Sequence, residues 1–100
     1  TTLVLGGLRG HLLTSGDQGA TWNEVENPIK VLLMAGTRLD DGTIVMAGQG
    51  GNFFLSRNLG LSFKHWKPDG FGTSVADLVP TRDGALLTVG EAGAVRIKLP

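Results

Sequence analysis

Ser15-Gly16-Asp17-Gln18-Gly19-Ala20-Thr21-Trp22 is the stretch from which the rest of the chain is best read. Its residue types describe a tight turn that runs straight into a strand. Ser15 and Asp17 carry short polar side chains that accept hydrogen bonds from nearby backbone N–H groups, as such side chains do in turns. Gly19 is free to take a positive φ angle that costs other residues free energy. Thr21 and Trp22 then open an extended run, in which the indole covers apolar neighbours while its N–H reaches an acceptor.

Reading outward from this turn uncovers a repeat. Gly7-Leu8-Arg9-Gly10-His11-Leu12-Leu13-Thr14-Ser15 lies over Gly48-Gln49-Gly50-Gly51-Asn52-Phe53-Phe54-Leu55-Ser56 at an offset of 41. The same offset puts Asp17 on Asn58, Gly19 on Gly60, Thr21 on Ser62 and Trp22 on Phe63. Ser56 to Phe63 is therefore a second, altered copy of the turn. At an offset of 42, Asp41-Gly42-Thr43-Ile44-Val45 lies over Asp83-Gly84-Ala85-Leu86-Leu87, with Gly48 on Gly90, Gly51 on Gly93 and Asn52 on Ala94.

A period of 41 to 42 residues matches a four-stranded propeller blade. In the middle copy, strands are predicted at 31–39, 43–48, 52–56 and 62–67, with no stretch reading as a helix. Asp41-Gly42 and Gly50-Gly51 supply hairpin turns, and Pro28 and Pro68 mark strand exits. Val31-Leu32-Leu33-Met34-Ala35, Ile44-Val45-Met46-Ala47 and Leu86-Leu87-Thr88-Val89 are apolar without alternation, so both faces of each sheet are expected to be covered. The predicted fold class is all-β: a β-propeller segment of four-stranded antiparallel blades, about two and a half in number, forming an incomplete ring. The segments are 1–28 (partial), 29–69 and 70–100 (partial). Because closed rings commonly need about four to eight blades, the segment is expected to fold beside further blades or other copies of itself. The start at Thr1, directly before Leu3-Val4-Leu5, is expected of a piece of a longer protein.

Sixteen glycines fit a turn-rich β chain, and nine basic residues cancel nine acidic ones. That balance leaves no broad electrostatic footprint for nucleic acid. The longest apolar runs, five or six residues, are far short of the roughly 20 that a membrane-spanning helix needs. Without cysteine there is neither a disulfide nor a thiolate metal site.

The pattern S-x-D-x-G-x-T-W at Ser15, Asp17, Gly19, Thr21 and Trp22 resembles the Asp-box of BNR-repeat propellers, and Ser56, Asn58, Gly60, Ser62 and Phe63 resemble a decayed copy. Ala47-Gly48, Val89-Gly90 and the Gly-x-x-Gly turns that follow are most similar to the photosystem II assembly-factor-like group. That resemblance implies a non-enzymatic, exported scaffold (periplasmic or extracellular) that binds a protein partner and carries no cofactor. The alternative is a fragment of a carbohydrate-active propeller, glycoside hydrolase or sialidase-like, with its catalytic residues mainly in other blades. A self-assembling propeller fragment is a third reading.

The candidate chemistry is sparse. A sialidase site needs a tyrosine nucleophile, and the chain has none. Paired-carboxylate glycoside hydrolysis needs two acids across one groove, whereas Asp-Gly turns account for Asp41 and Asp83 without catalysis. Asp77, inside Val75-Ala76-Asp77-Leu78-Val79, is a candidate channel carboxylate, since a charge in such a run must be paired or wetted. Lys64, His65, Trp66 and Lys67 form a candidate partner-binding patch, because aromatic and cationic residues favour interfaces; the simpler alternative is that Trp66 packs on its neighbours. His11 and His65 have no second ligand at metal spacing, so no metal site is expected.

Overall fold

The computed structural model describes residues 3–100, so the first two residues of the 1–28 segment lie outside the described residues. Ten strands form three antiparallel sheets. Sheet 1 orders β1 (Leu3–Gly6), β2 (Leu12–Ser15) and β3 (Asn23–Val25) side by side. Sheet 2 runs β4 (Leu33–Arg38), β5 (Ile44–Gly48), β6 (Phe53–Ser56) and β7 (Lys64–Trp66). Sheet 3 contains β8 (Val75–Pro80), β9 (Ala85–Gly90) and β10 (Gly93–Lys98).

Sheet 2 is the middle layer. The unbroken apolar run of β5 serves two neighbours because successive side chains point to opposite faces. Val45 and Ala47, with Phe53 and Leu55, pack against Val75, Leu78, Leu86 and Ile97 of sheet 3. Met46 and Phe54, with Leu33, pack against Leu12, Val4 and Val25 of sheet 1. Phe53, Phe54, Leu12 and Leu86 are fully buried, each contributing about 1.5–3 kcal/mol by leaving water. Both faces are covered at β5 and β6, which explains why these strands do not alternate; against expectation the other apolar runs are covered on one side only, with Met34 of β4 and Val89 of β9 exposed.

Equivalent details recur between sheets. A β-bulge interrupts the β4–β5 ladder between Leu33 and Ala35, and another interrupts β8–β9 between Val75 and Asp77. Where β5 ends, the backbone passes so close to its neighbour that a Cβ on Gly48 would lie 1.9 Å from the Leu32 carbonyl oxygen. Gly90 sits 2.2 Å from the Ser74 carbonyl oxygen by the same measure. Only a residue without a side chain fits there.

Three local expectations are corrected. Gly50-Gly51 is not a simple hairpin turn: Gln49–Gly51 forms a single 3-10 turn, and Leu8–Gly10 forms its counterpart. The two share a left-handed central residue, Gly50 at φ 68° and Arg9 at φ 55°, and each closes with a bond from the next N–H, of Asn52 or His11, back to the Gln49 or Leu8 carbonyl. The last predicted strand of the middle copy is shorter, Lys64–Trp66, because Ser62 and Phe63 belong to the preceding turn and to packing against sheet 1. In the third copy β10 pairs directly from Gly93↔Gly90, without a 3-10 turn. Ala94 therefore sits opposite Val89, the place Phe53 holds opposite Ala47, and does not correspond to Asn52.

Candidate functional site

The Ser15–Trp22 turn is held by its own side chains. The Ser15 hydroxyl donates to Asp17 Oδ1 at 2.8 Å and accepts the Gly19 N–H at 2.8 Å. Asp17 then accepts the Thr21 N–H at 2.9 Å and the Thr21 hydroxyl. These donors, the Thr21 hydroxyl foremost, followed by the Thr21 N–H and the Ser15 hydroxyl, hold the Asp17 carboxyl down at about 2. Trp22 closes the turn by donating its indole N–H to the Gly19 carbonyl at 3.0 Å.

Ser56–Phe63 repeats the construction. Ser56 donates to Asn58 Oδ1 at 2.8 Å and accepts the Gly60 N–H at 2.8 Å, and Asn58 Oδ1 accepts the Ser62 N–H at 3.1 Å. The amide of Asn58 donates to the Ser62 hydroxyl oxygen at 2.7 Å, reversing the direction of the Thr21–Asp17 bond. Gly19 and Gly60 take φ angles of 91° and 85°.

Alternation along β7 puts Lys64 and Trp66 on the face of Phe53 and Leu55, and His65 on the face of Phe54. Trp66 turns toward Phe53, with ring centroids 5.2 Å apart, while Lys64, His65 and Lys67 are exposed. His65 Nε2 lies 2.7 Å from Asn52 Oδ1, and its ring is tilted 41° to that of Phe54 with centroids 5.3 Å apart. Lys64 also borders a shallow cleft of about 330 Å³ shared with Arg57, Asn58, Ser62 and Phe63. Asp77 is exposed on sheet 3, where its Oδ1 accepts the Leu78 N–H at 2.8 Å.

The acids of the strand connections are engaged locally. Asp41 accepts the Thr43 N–H at 2.9 Å, which, with the Thr43 hydroxyl, lowers its carboxyl below the usual range. Asp83 is lowered first by the Thr81 hydroxyl, and it also pairs with Arg96. Asp40 and Asp41 border a cleft of about 200 Å³ with Arg82 and Leu99. Residue spacing alone missed a second polar cleft of about 350 Å³, where His11 Nδ1 meets Glu24 Oε1 at 3.4 Å beside buried Asn27. Asn27 Nδ2 donates to the Gly10 carbonyl and its Oδ1 accepts the Ile29 N–H, so the residue ties sheet 1 to the following loop. The only sequence signal for this was its place before Pro28.

Among the described residues, no three His, Asp or Glu side chains converge as a metal site. No helix among them is long and apolar enough to cross a membrane. No family model matches the chain, and no curated protein matches it in sequence.

Proposed function

We propose that this chain is a non-catalytic β-propeller segment whose stacked sheets hold loops rigidly for a protein partner. Its three sheets correspond to blades of a BNR-repeat propeller of the assembly-factor-like kind, and the Ser15–Trp22 and Ser56–Phe63 turns to its Asp-boxes. One observation carries the non-catalytic part: Asp17, Asp41 and Asp83 are all spent on their own turns, with carboxyls lowered by neighbouring N–H and O–H groups. A glycosidase pairs an ionised carboxylate with an acid whose carboxyl is raised so that it keeps its proton for the leaving group, and none of these three is raised. The inner strands β5 and β6, buried on both faces, favour rigidity, and loops on a rigid frame are where recognition concentrates. The exposed Lys64, His65 and Lys67, anchored by inward-turned Trp66, are the proposed contact patch.

The test is an assay on sialosides and β-glucans, beside partner binding by a Lys64→Glu/Lys67→Glu double variant. No turnover is expected. Turnover that disappears in Asp77→Asn would replace the scaffold reading with the carbohydrate-active one.

A further inference from the structure

The dipeptide Asp-Gly occurs three times, at Asp41-Gly42, Asp69-Gly70 and Asp83-Gly84. In this pair an aspartate can condense with its own backbone, because glycine has no side chain to shield the following nitrogen. Room does not separate the three: nothing lies within 4 Å of a Cβ built on Gly42, Gly70 or Gly84. Hydrogen bonding does. The Gly42 N–H donates to the Leu39 carbonyl at 2.9 Å and the Gly84 N–H to the Thr81 carbonyl at 3.3 Å, each closing its turn. The turn at 68–71 is closed instead by the Phe71 N–H, which donates to the Pro68 carbonyl at 3.1 Å and leaves Asp69-Gly70 in the middle. The Gly70 N–H therefore has no acceptor among the described residues. The acids differ in the same way. Asp41 accepts from Thr43, and Asp83 from Thr81 and Arg96, whereas exposed Asp69 accepts nothing among the described residues.

We propose that Asp69-Gly70 is a site of spontaneous aspartate isomerisation, selected over the two identical dipeptides by its place in its turn. The Gly70 nitrogen attacks Asp69 Cγ; the carboxyl hydroxyl leaves with the amide proton as water, and a succinimide ring closes. Water then adds to either ring carbonyl, its hydroxyl to carbon and its proton to nitrogen. Cleavage of the new Cγ–N bond restores aspartate. Cleavage of the original peptide bond leaves isoaspartate, whose main chain runs through Cβ and Cγ. The water lost in the first step is regained in the second, so no other reactant is needed. At Gly42 and Gly84 the same attack must first break a hydrogen bond already made, which slows it by about two- to tenfold. The lowered carboxyls of Asp41 and Asp83 act in the same direction, because the neutral acid gives up its hydroxyl more readily than the carboxylate does. Exposure at Asp69 belongs to the loop and not to where the sequence stops. Asp69 stands between β7 and β8, and Pro28, its repeat equivalent, is exposed beside the complete sheet 2. Trp66 and Phe71 flank the turn and both pack on Phe53, with centroids 5.2 and 5.9 Å away. The added backbone carbon thus falls between two anchors of one buried ring. This reactivity holds whatever the loops bind.

Ageing the 100-residue chain at neutral pH, beside the same chain held unfolded in urea, tests the selection. Circular dichroism confirms the strands of the first sample. Incubation continues until the urea sample carries isoaspartate at all three sites. Electron-transfer fragmentation of tryptic peptides locates the product, since cleavage after Arg38, Lys64 and Arg82 puts the three dipeptides in separate peptides. Comparable yields at 41, 69 and 83 are expected in urea, where no turn survives. In the folded chain the yield at 69 is expected to exceed that at 41 or 83 by about two- to tenfold. Equal yields at the three sites of the folded chain, a larger yield at 41 or 83, or an unmodified 69 would overturn the proposal.

Discussion

The turns Ser15–Trp22 and Ser56–Phe63 share one hydrogen-bond skeleton while differing in charge and in surroundings. Where the first has a carboxylate, the second has an amide; where the first closes with an exposed indole, the second closes with a phenyl ring packed toward sheet 1. The skeleton therefore rests on two features common to both, a serine hydroxyl that accepts a glycine N–H and a side-chain oxygen two residues on. The charge is an addition to the turn and not its foundation. The surroundings differ because Gly60 abuts sheet 1, whereas Gly19 faces the unmatched side.

The largest contrast is expected from alanine at the two glycines. A Cβ on Gly60 would lie 2.9 Å from Thr14 Cγ2, while one on Gly19 finds nothing nearer than Trp22 at 3.5 Å. Both substitutions force a left-handed backbone, costing about 1–2 kcal/mol, and Gly60→Ala adds an overpacking cost of about 1–3 kcal/mol. Urea unfolding should therefore rank Gly60→Ala as clearly the more harmful; equal losses would break the comparison. Next come Ser15→Ala and Ser56→Ala, which each remove a buried hydroxyl and leave a glycine N–H, part-buried at Gly19 and buried at Gly60, without its acceptor; each should cost about 1–3 kcal/mol. Values that agree within error would establish the shared skeleton. Trp22→Phe copies the second turn into the first and gives up one partly exposed bond, so its loss should be about 0.5–1 kcal/mol by the same measurement.

The smallest effect at neutral pH is expected from Asp17→Asn, because Asn58 already performs the same role uncharged. Its signature is pH dependence. The folded Asp17 carboxyl is depressed from 3.8 to about 2, so its contribution is complete above 3.8 and lost as pH falls toward 2. Thermal midpoints from pH 6 to about 2 should fall less steeply in Asp17→Asn than in the parent, with Asp41 and Asp83 keeping their share of the slope. Asn58→Asp should steepen it. An unchanged slope in both variants would mean the acid bonds carry no stability.

Much of this organisation was legible in the residues. Asp-Gly pairs and the apolar runs at Ile44–Ala47 and Leu86–Val89 marked strand number and order, because turn chemistry and buried strands leave plain traces, although only the first run is covered on both sides. The 3-10 turns did not show, since Arg9 occupies a left-handed position that its counterpart fills with Gly50, and Arg carries no signal for it. Asp77 looked out of place in an apolar run because alternation assumes an uninterrupted ladder. The bulge between Val75 and Asp77 spoils that assumption and lets Val75 face the core while Asp77 faces water. The four-residue patch at 64–67 was visible as composition, but the packing of Trp66 on Phe53 depended on the Phe53↔Trp66 register.

The bulge at the start of β4 has a mechanical corollary. In an uninterrupted strand Leu33 and Ala35 would lie on one side; here Leu33 belongs to the seam with sheet 1 and Ala35 to the seam with sheet 3. A single strand thus clasps both neighbours, and the extra residue is what lets it switch sides. Chain length at that point consequently matters more than which amino acid stands at 34: removing one residue would hand Leu33 to the wrong seam, while exchanging Met34 for another side chain would leave the clasp intact.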